Sequence, residues 1–206
     1  MALNLYIVRH GETEWNKRGI MQGHLNSDLT NLGKNQAKKL SKSLSHINFE
    51  AVYTSTLSRA INTTQIILGN KENKIIQSEL IKEIDMGIWQ GMEKQIVNKN
   101  YPEHIENFWK NPHKYDYNLI KGESYSALYN RVQIFLNSIY DKFENGNILI
   151  VSHGVTIKAI LNTILKKPIE EFWEGDFILN TSVSLIKMNS KENFEIKFIS
   201  DISHLE

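Results

Sequence analysis

Short apolar runs alternate with stretches of helical periodicity along most of this sequence. Residues 3–8 and 148–151 are compact apolar runs rich in β-branched side chains, and both end abruptly at polar residues followed by glycine. Runs of this length and composition are typical of buried strands. Similar patterns predict further strands near 51–53 and 74–77, and helices over 30–44, 58–68, 124–143 and 155–165.

The order of these elements predicts an α/β fold with three layers: helix, sheet and helix. Parallel strands need crossover connections, and the helices in those connections cover both faces of the sheet. Two further β-like segments, Val183–Met188 and 194–199, lie close together around 189–192 and are typical of a hairpin. We therefore expect a mainly parallel central sheet that is mixed at one edge. No linker or repeat divides residues 1–206, so we expect a single domain.

Residues 92–120 interrupt this alternation. The segment contains several aromatic side chains and two prolines, and we interpret it as a helical insertion on the substrate side of the functional site. Aromatic side chains there would suit a roomy, weakly polar ligand. The same side chains are also typical of plain packing beneath a helix, so both interpretations stay open.

Composition and charge exclude several broad classes of protein. Hydrophobic residues make up 41% of the chain and charged residues 23%, as in ordinary folded proteins. The formal net charge of +1 gives no global field for nucleic acid or an anionic membrane, so we expect neither partner, and any anion binding must be local. The absence of cysteine excludes disulfides and thiolate chemistry and favours a reducing compartment, so we expect a cytoplasmic protein.

Association and membrane attachment leave few traces in the sequence. No window reaches the roughly 18 apolar residues that a membrane span requires, and the N-terminal residues show no export signal. We therefore expect no membrane anchor. The oligomeric state stays open, with a homodimer as one option.

Two His-Gly pairs provide the first candidate chemistry. His10 and His153 each follow a predicted strand, and ligands of α/β sheets gather at the carboxyl ends of parallel strands, so the two histidines are expected to share a pocket. Arg9 and Arg59 add guanidinium groups, whose planar donors match phosphate oxygens. The helix that begins near Gly154 would present free amides to an anion. This set of groups predicts a phosphate ligand.

A carboxylate completes the set. Glu83 follows the predicted strand near 74–77 and is the candidate proton donor, with Asp85 as its rival, since both would point to the same side of an extended segment. Each group alone is more often a capping or solvated residue, and only the combination predicts a site. The clustered positive charges should disfavour the imidazolium form of His10 and lower its pKa.

Motifs across nearly the whole chain accompany these candidates. The most specific is Arg9-His10-Gly11-Glu12-Thr13-Glu14-Trp15-Asn16. Further motifs are, in chain order, Gln22-Gly23, Leu29-Thr30, Thr54-Ser55-Thr56-Leu57-Ser58-Arg59-Ala60, Glu83-Ile84-Asp85-Met86-Gly87-Ile88-Trp89-Gln90-Gly91, Gly122-Glu123-Ser124, Arg131-Val132, Val151-Ser152-His153-Gly154 and Asn180-Thr181-Ser182. Together they resemble the signature of the histidine phosphatase, or phosphoglycerate mutase-like, superfamily.

The resemblance implies a role for each matching position. His10 would attack phosphorus and become a phosphohistidine, while Glu83 would protonate the leaving alcohol and later activate water. The phosphoryl oxygens would be held by Arg9, Arg59, His153 and Asn16. The substrate side would be lined by Gln22, Gly23 and Gly154. The resemblance implies a small phosphomonoester substrate, with no metal and no cofactor.

Three other functions remain as alternatives. A phosphoglycerate mutase would need 2,3-bisphosphoglycerate, and glycolytic mutases resemble longer chains with paired arginines where this chain has Lys94 and Lys99, so a phosphatase is favoured. A module that binds a phosphorylated ligand without turnover would not need the intact His10 and Glu83. A metallohydrolase is not supported, because the sequence contains no close His-x-x-x-His spacing.

Overall fold

The computed structural model describes residues 2–190 and 193–206. The strands in these residues are β1 (Leu3–Arg9), β2 (Ala51–Ser55), β3 (Ile75–Ser78), β4 (Gly146–Ser152), β5 (Val183–Met188) and β6 (Phe194–Asp201). The α-helices are α1 (Glu14–Arg18), α2 (Asn31–Ser43), α3 (Ser58–Leu68), α4 (Lys94–Asn100), α5 (Pro102–Lys110), α6 (Tyr117–Ile120), α7 (Tyr125–Lys142) and α8 (Gly154–Ile164). None of the helices in these ranges combines the length and apolar composition needed to cross a membrane.

The strands form one mixed sheet in the order β3-β2-β4-β1-β5-β6. Neighbours from β3 to β1 pair in parallel, whereas β5 and β6 run antiparallel at one edge. This arrangement confirms the predicted α/β fold with a mainly parallel sheet and a mixed edge. The predicted hairpin is present in the pairing of β5 with β6, although Lys191 and Glu192 of its turn lie outside the described residues.

Two apolar clusters, one on each face of the sheet, produce the three layers. On one face, Val52 and Val151 pack in a cluster with residues of α2 and α3 such as Leu40 and Ala60. The opposite faces of the same strands contribute to a larger cluster with α7 and α8. Burial of this apolar surface is the main favourable term that holds the layers together. The alternating side-chain directions along each strand therefore supply both cores.

Helix starts follow the capping residues that the sequence offers. The Thr30 hydroxyl accepts from the Gly33 amide at the start of α2, and the Ser124 hydroxyl accepts from the Ala127 amide at the start of α7. Such caps satisfy amides that the helix leaves without a partner. The observed helices begin or end within a residue or two of the predicted bounds.

Pairing of β1 with β4 places the two His-Gly motifs side by side. Arg9 lies opposite Ser152 in the parallel register, so His10 and His153 follow directly at the same edge of the sheet. Their ring centroids are 5.1 Å apart. The expectation that the two histidines meet at the carboxyl ends of their strands is confirmed.

The segment 92–120 folds as α4, α5 and α6, separated by turns. Two of its five aromatic side chains, Phe108 and Tyr115, are core residues, and Phe108 lies in edge-to-face contact with Trp89 and Tyr115. Trp109, by contrast, lines the cavity described below. The packing interpretation therefore holds for Phe108 and Tyr115, whereas a role of the aromatic residues in ligand selection stays a prediction.

Candidate active site

A cavity of about 150 Å³ opens at the carboxyl ends of β1 and β4. Its wall includes eight of the nine site residues predicted from the sequence: Arg9, His10, Asn16, Gln22, Gly23, Arg59, Glu83 and Gly154. The ninth, His153, is fully buried directly behind the His10 ring and does not reach the wall. The sequence motifs therefore converge on one cavity.

The His10 side chain is held in a single tautomer by its own loop. Its Nδ1 lies 2.8 Å from the carbonyl oxygen of Gly11, which can only accept, so Nδ1 carries the proton and Nε2 keeps a free lone pair. Burial lowers the pKa of His10 well below its ordinary value, and the charges of Arg59 and Arg9 lower it further. His10 is thus a neutral imidazole with a nucleophilic Nε2.

The backbone around His10 is fixed by contacts from three other parts of the chain. Its amide donates to the Ser152 carbonyl, and its own carbonyl accepts from Asn180 Nδ2 at 3.0 Å. The next amide, that of Gly11, donates to the Thr63 hydroxyl. We assigned no role to Asn180 or Thr63 from the sequence, although Asn180 lies in one of the motifs. Both help to keep the imidazole in place.

Arg9 retains donors that no protein group uses. Its Nη1 donates to the Ile178 carbonyl at 2.7 Å, while its Nε is buried with no acceptor among the described residues. A Cβ atom at Gly154 would lie 3.4 Å from this Nε, so glycine lets the guanidinium lie close against the start of α8. Burial lowers the pKa of Arg9, and the nearby Glu83 carboxylate opposes that shift. A buried guanidinium with unused donors is suited to an anion.

Protein groups accept more of the N–H donors of Arg59 than of Arg9. Its Nη2 donates to the Gly23 carbonyl and its Nη1 to the Leu25 carbonyl and Asn26 side chain, which ties the loop 23–26 to α3. Its Nε donates to Nδ1 of His153 at 3.2 Å, which leaves a single Nη2 proton free for a ligand. Burial lowers the pKa of Arg59 to about 10.

His153 connects Arg59 to strand β2. Since Nδ1 accepts from Arg59, the ring proton is on Nε2, and it donates to the Ser55 hydroxyl at 2.7 Å. Burial, followed by the charge of Arg59, lowers the pKa of His153 well below its ordinary value. Both ring nitrogens are therefore occupied by protein groups in this arrangement, and His153 is neutral.

Glu83 occupies the amide groups at the start of α8. Its Oε1 accepts from the amides of Ile84 and Thr156, and its Oε2 lies 3.3 Å from the Val155 amide. These are the free amides that the sequence predicted for an anion, and in this structure the carboxylate of the candidate acid fills them. The residue is only 8% exposed, and its carboxylate is fixed at the cavity wall.

Asp85 points away from the cavity. Its Oδ1 accepts from the Gly87 amide, and its Oδ2 lies 3.7 Å from Nδ1 of His24. The expectation that Glu83 and Asp85 point to the same side was wrong, because residues 83–86 form no regular strand and the Asp85 carboxylate accepts from the Gly87 amide. Geometry alone therefore selects Glu83 as the acid.

Asn16 and Gln22 are linked through Thr13, which the sequence reasoning did not single out. The Thr13 hydroxyl lies 3.1 Å from Asn16 Oδ1 and 3.1 Å from Gln22 Oε1, and Asn16 Oδ1 also accepts from the Thr13 amide. Acceptor oxygens of both amide side chains are thus turned toward Thr13. This leaves the amide nitrogen of Asn16 to face the cavity as a donor.

The outer part of the cavity has a different composition. It is lined by apolar side chains from several segments: Ile20, Met21, Met86, Trp109, Trp173, Phe177 and Ile178. The rings of Trp109 and Trp173 lie 4.4 Å apart, and Trp173 Nε1 donates to the Phe108 carbonyl. Trp173 packs against the core through Phe108 and Phe172 and also forms part of the cavity wall.

Two lysines border this apolar wall. Lys158 is buried and its Nζ donates to the carbonyls of Glu174 and Asp176, which fixes the segment that carries Phe177. Lys94 Nζ has no acidic partner among the residues that the structure describes, and burial lowers its pKa, with a further contribution from Arg9. Lys94 is therefore the cation left for a substrate group at the mouth.

The histidines and carboxylates of the site do not form a metal centre. Within residues 2–190 and 193–206, no group of three or more histidine, cysteine, aspartate or glutamate side chains is arranged to hold a metal ion. The ring nitrogens of His10 and His153 are oriented by Gly11, Arg59 and Ser55 as described above.

Comparison with known proteins places this site in a family. The sequence model of the histidine phosphatase superfamily (branch 1) matches residues 5–201. Phosphoserine phosphatase 1 of Hydrogenobacter thermophilus is 36% identical over 195 residues, which cover 95% of this chain and 91% of that protein. Phosphoglycerate mutase-like protein 4 of Arabidopsis thaliana is 32% identical over 205 residues, covering 98% and 86%.

A solved structure agrees with the sequence matches. Bacillus stearothermophilus YhfR superposes with a TM-score of 0.93 at 34% identity, and the match covers 100% of both chains. The resemblance and the enzyme class predicted from the sequence, a histidine phosphatase, are confirmed. This chain belongs to the histidine phosphatase superfamily.

Proposed function

We propose that this chain hydrolyses small phosphomonoesters in two steps through a phosphohistidine on His10. The observation that carries the proposal is the neutral His10 imidazole, whose bare Nε2 faces a cavity bordered by Arg9 and Arg59. An unprotonated ring nitrogen is a nucleophile, and the guanidinium groups supply the charge that phosphoryl transfer requires.

In the first step, the Nε2 lone pair forms a bond to phosphorus while the bond from phosphorus to the ester oxygen breaks. Glu83 supplies the proton that the leaving alcohol needs. In the second step, Glu83 takes a proton from water, the hydroxide oxygen bonds to phosphorus, and the N–P bond breaks to release phosphate and neutral His10. One carboxyl group can serve both steps because the first leaves it deprotonated.

Charge around the transferred phosphoryl group comes from the donors that the protein leaves free. Arg9 contributes its unused N–H groups, Arg59 its free Nη2 proton and Asn16 its amide nitrogen. His153 does not reach the cavity wall in this arrangement, so to join them, as the resemblance implies, its Nε2 proton would have to exchange Ser55 for a phosphoryl oxygen when substrate binds. Donors that are already in place when charge develops stabilise the transition state without reorganisation.

The outer cavity determines which alcohol is accepted. Trp109 and Trp173 supply a flat apolar wall, and Lys94 supplies a cation that is suited to a carboxylate. The names of the relatives point to phosphoserine and phosphoglycerate, both of which carry a carboxylate near the phosphate. We propose that a phosphomonoester with both an apolar part and an anionic group is the preferred class. The 92–120 segment, which carries Lys94 and Trp109, is then the substrate-side cover of a single domain.

We further propose that the reaction needs no metal and no cofactor, and that it takes place in the cytoplasm. No nucleic-acid partner is invoked, because the chain has a formal net charge of only +1. The homodimer option stays a prediction for a sedimentation measurement.

Phosphate release by the purified protein should be measured on phosphoserine, 3-phosphoglycerate, an aryl phosphate and a simple alkyl phosphate, with and without a chelator. Release that survives the chelator and disappears in His10→Ala, with His46→Ala as the exposed control, supports the proposal. An acid-labile phosphoprotein in rapidly quenched wild type, absent in His10→Ala, would identify the intermediate. Conversion of 3- to 2-phosphoglycerate that depends on 2,3-bisphosphoglycerate would instead indicate a mutase.

A further inference from the structure

The backbone carbonyl of Glu83 is a meeting point for two side chains that the mechanism above does not use. His24 Nε2 lies 2.9 Å from this oxygen, and Arg131 Nη2 lies 3.2 Å from it. Because a carbonyl only accepts, His24 must carry its proton on Nε2. Both contacts bear on the main chain of the residue whose carboxylate is the candidate acid.

Arg131 belongs to a rigid frame. Its guanidinium forms a two-point pair with Glu123, at 2.6 and 2.9 Å, and both side chains are about 15% exposed. The pair binds the main chain on both sides of Glu83, since Arg131 donates to the Leu80 carbonyl and Glu123 accepts from the Asp85 amide. The motifs Gly122-Glu123-Ser124 and Arg131-Val132 thereby acquire a physical explanation.

His24 comes from the opposite direction, from the loop that carries Gln22 and Gly23. Its backbone amide donates to the Gln90 side chain, and its Nδ1 lies 3.7 Å from the Asp85 carboxylate. Gly23 adopts a φ of +51°, and a Cβ atom there would collide with the Gln90 side chain, so glycine is required for this close approach. The same loop is tied to Arg59 through the Gly23 carbonyl.

We infer that His24 and Arg131 are positioning residues that fix the Glu83 carboxyl group for proton transfer to the leaving alcohol, with His24 coupling that position to the substrate loop. The inference rests on the proposed function. It follows from the geometry, since two donors on one carbonyl oxygen restrict the backbone from which the acid projects. A small displacement of a proton donor weakens catalysis strongly, because proton transfer requires hydrogen-bond distance to the ester oxygen.

Leaving-group dependence distinguishes this role from plain structural support. An alkyl alkoxide needs a proton to leave, whereas p-nitrophenolate leaves without one. In His24→Ala we expect kcat/KM, which reports only the steps up to phosphoryl transfer to His10, to fall about tenfold for an alkyl phosphate and less than about twofold for p-nitrophenyl phosphate. His24→Gln, whose amide nitrogen can replace Nε2 as the donor, should recover most of the loss. His46→Ala, at an exposed position, is the matched control.

A double-mutant cycle completes the test. If His24 acts through Glu83, then adding His24→Ala to Glu83→Gln should reduce alkyl phosphate turnover no further. Arg131→Lys keeps the positive charge but loses the planar pair of donors of the guanidinium group. It should likewise reduce activity more on alkyl than on aryl phosphates. Equal losses on both substrates, or additive losses in the cycle, would overturn the inference. Wild type without His10-dependent turnover would instead show that the proposed function itself is wrong.

Discussion

The inner half of the cavity, around His10, consists of polar groups with fixed partners, whereas the outer half is mainly apolar. Around His10 the polar groups are fixed by specific partners, since Gly11 sets the tautomer, Arg59 joins α3 to the loop 23–26, and the amides of α8 hold Glu83. The outer half consists mainly of apolar surface from α5 and the segment around Trp173, with a single unpaired cation among its described residues. On the proposed function, the inner half would determine the reaction and the outer half would determine which alcohol is accepted.

Glu83→Gln should give the largest effect. Its dependence on the leaving group tests whether the inner half supplies the proton. Glutamine can keep the hydrogen bonds that Oε1 accepts from the Ile84 and Thr156 amides, loses the one from the Val155 amide, and cannot transfer a proton. We expect kcat/KM, which reports only the steps up to phosphoryl transfer to His10, to fall by about 10² to 10⁴ for an alkyl phosphate and far less for p-nitrophenyl phosphate. Steady-state kinetics on both substrates will check this, and undiminished alkyl turnover would transfer the acid role to another group.

Arg9→Lys should give the next largest effect. Lysine keeps the positive charge but cannot supply several planar donors to one phosphoryl group. We expect kcat/KM to fall about hundredfold on all substrates alike, because the phosphoryl group is common to them. Arg18→Lys, at an exposed position, is the matched control. A loss confined to one alcohol would show that Arg9 belongs functionally to the outer half.

The pH dependence of the free energy of unfolding should show whether His10 and His153 are neutral in the folded protein. The pKa values of His10 and His153 are lowered in the folded protein, so the unfolded chain binds more protons below its ordinary histidine pKa near 6.5. Their contribution to the free energy of unfolding is therefore present above that pH and is lost on acidification, at up to about 1.4 kcal/mol per pH unit for each histidine.

Urea unfolding at pH 7.5, 6.5 and 5.5 will measure that dependence. His10→Gln should show a shallower loss of stability on acidification than wild type, because one of the two histidines is gone. Identical slopes for the two proteins would mean that His10 is already charged in the folded state.

Trp109→Ala should give the smallest effect and one that depends on the substrate. Loss of one face of the apolar wall should raise KM for an aryl phosphate about three- to tenfold, with kcat and the KM for a small alkyl phosphate almost unchanged. Competition between the two substrates is the direct measurement. A fall in kcat for every substrate would indicate that Trp109 supports the inner half.

The inner half could be predicted from the sequence because its residues follow regular elements. The strand ends fix His10 and His153 through the register of β1 with β4, and no long-range information is needed beyond the βα pattern. The outer half follows irregular segments, whose direction depends on tertiary contacts. The sequence therefore does not predict the position of Trp173 on the wall, nor the contact of His24 with Glu83, which exists only after two distant loops fold together.

The orientation of Asp85 shows the same limit on a smaller scale. An extended segment would have placed it beside Glu83, but residues 83–86 form no regular strand and the Gly87 amide, at the start of the turn Gly87–Trp89, binds its carboxylate. Turns of this kind depend on close backbone approach: a Cβ atom at Gly87 would collide with the Ile120 carbonyl. The sequence pattern offers no equivalent signal.

The hydrogen bond from His10 to the Gly11 carbonyl has a consequence for how such enzymes diversify. The acceptor that keeps the nucleophile ready is a main-chain atom, so no side-chain substitution can delete it while the loop keeps its path. Neighbouring side chains can therefore be substituted, and the substrate preference can change, while His10 keeps its nucleophilic tautomer. A directed-evolution library restricted to the apolar wall should accordingly contain many active members with altered substrate ranking.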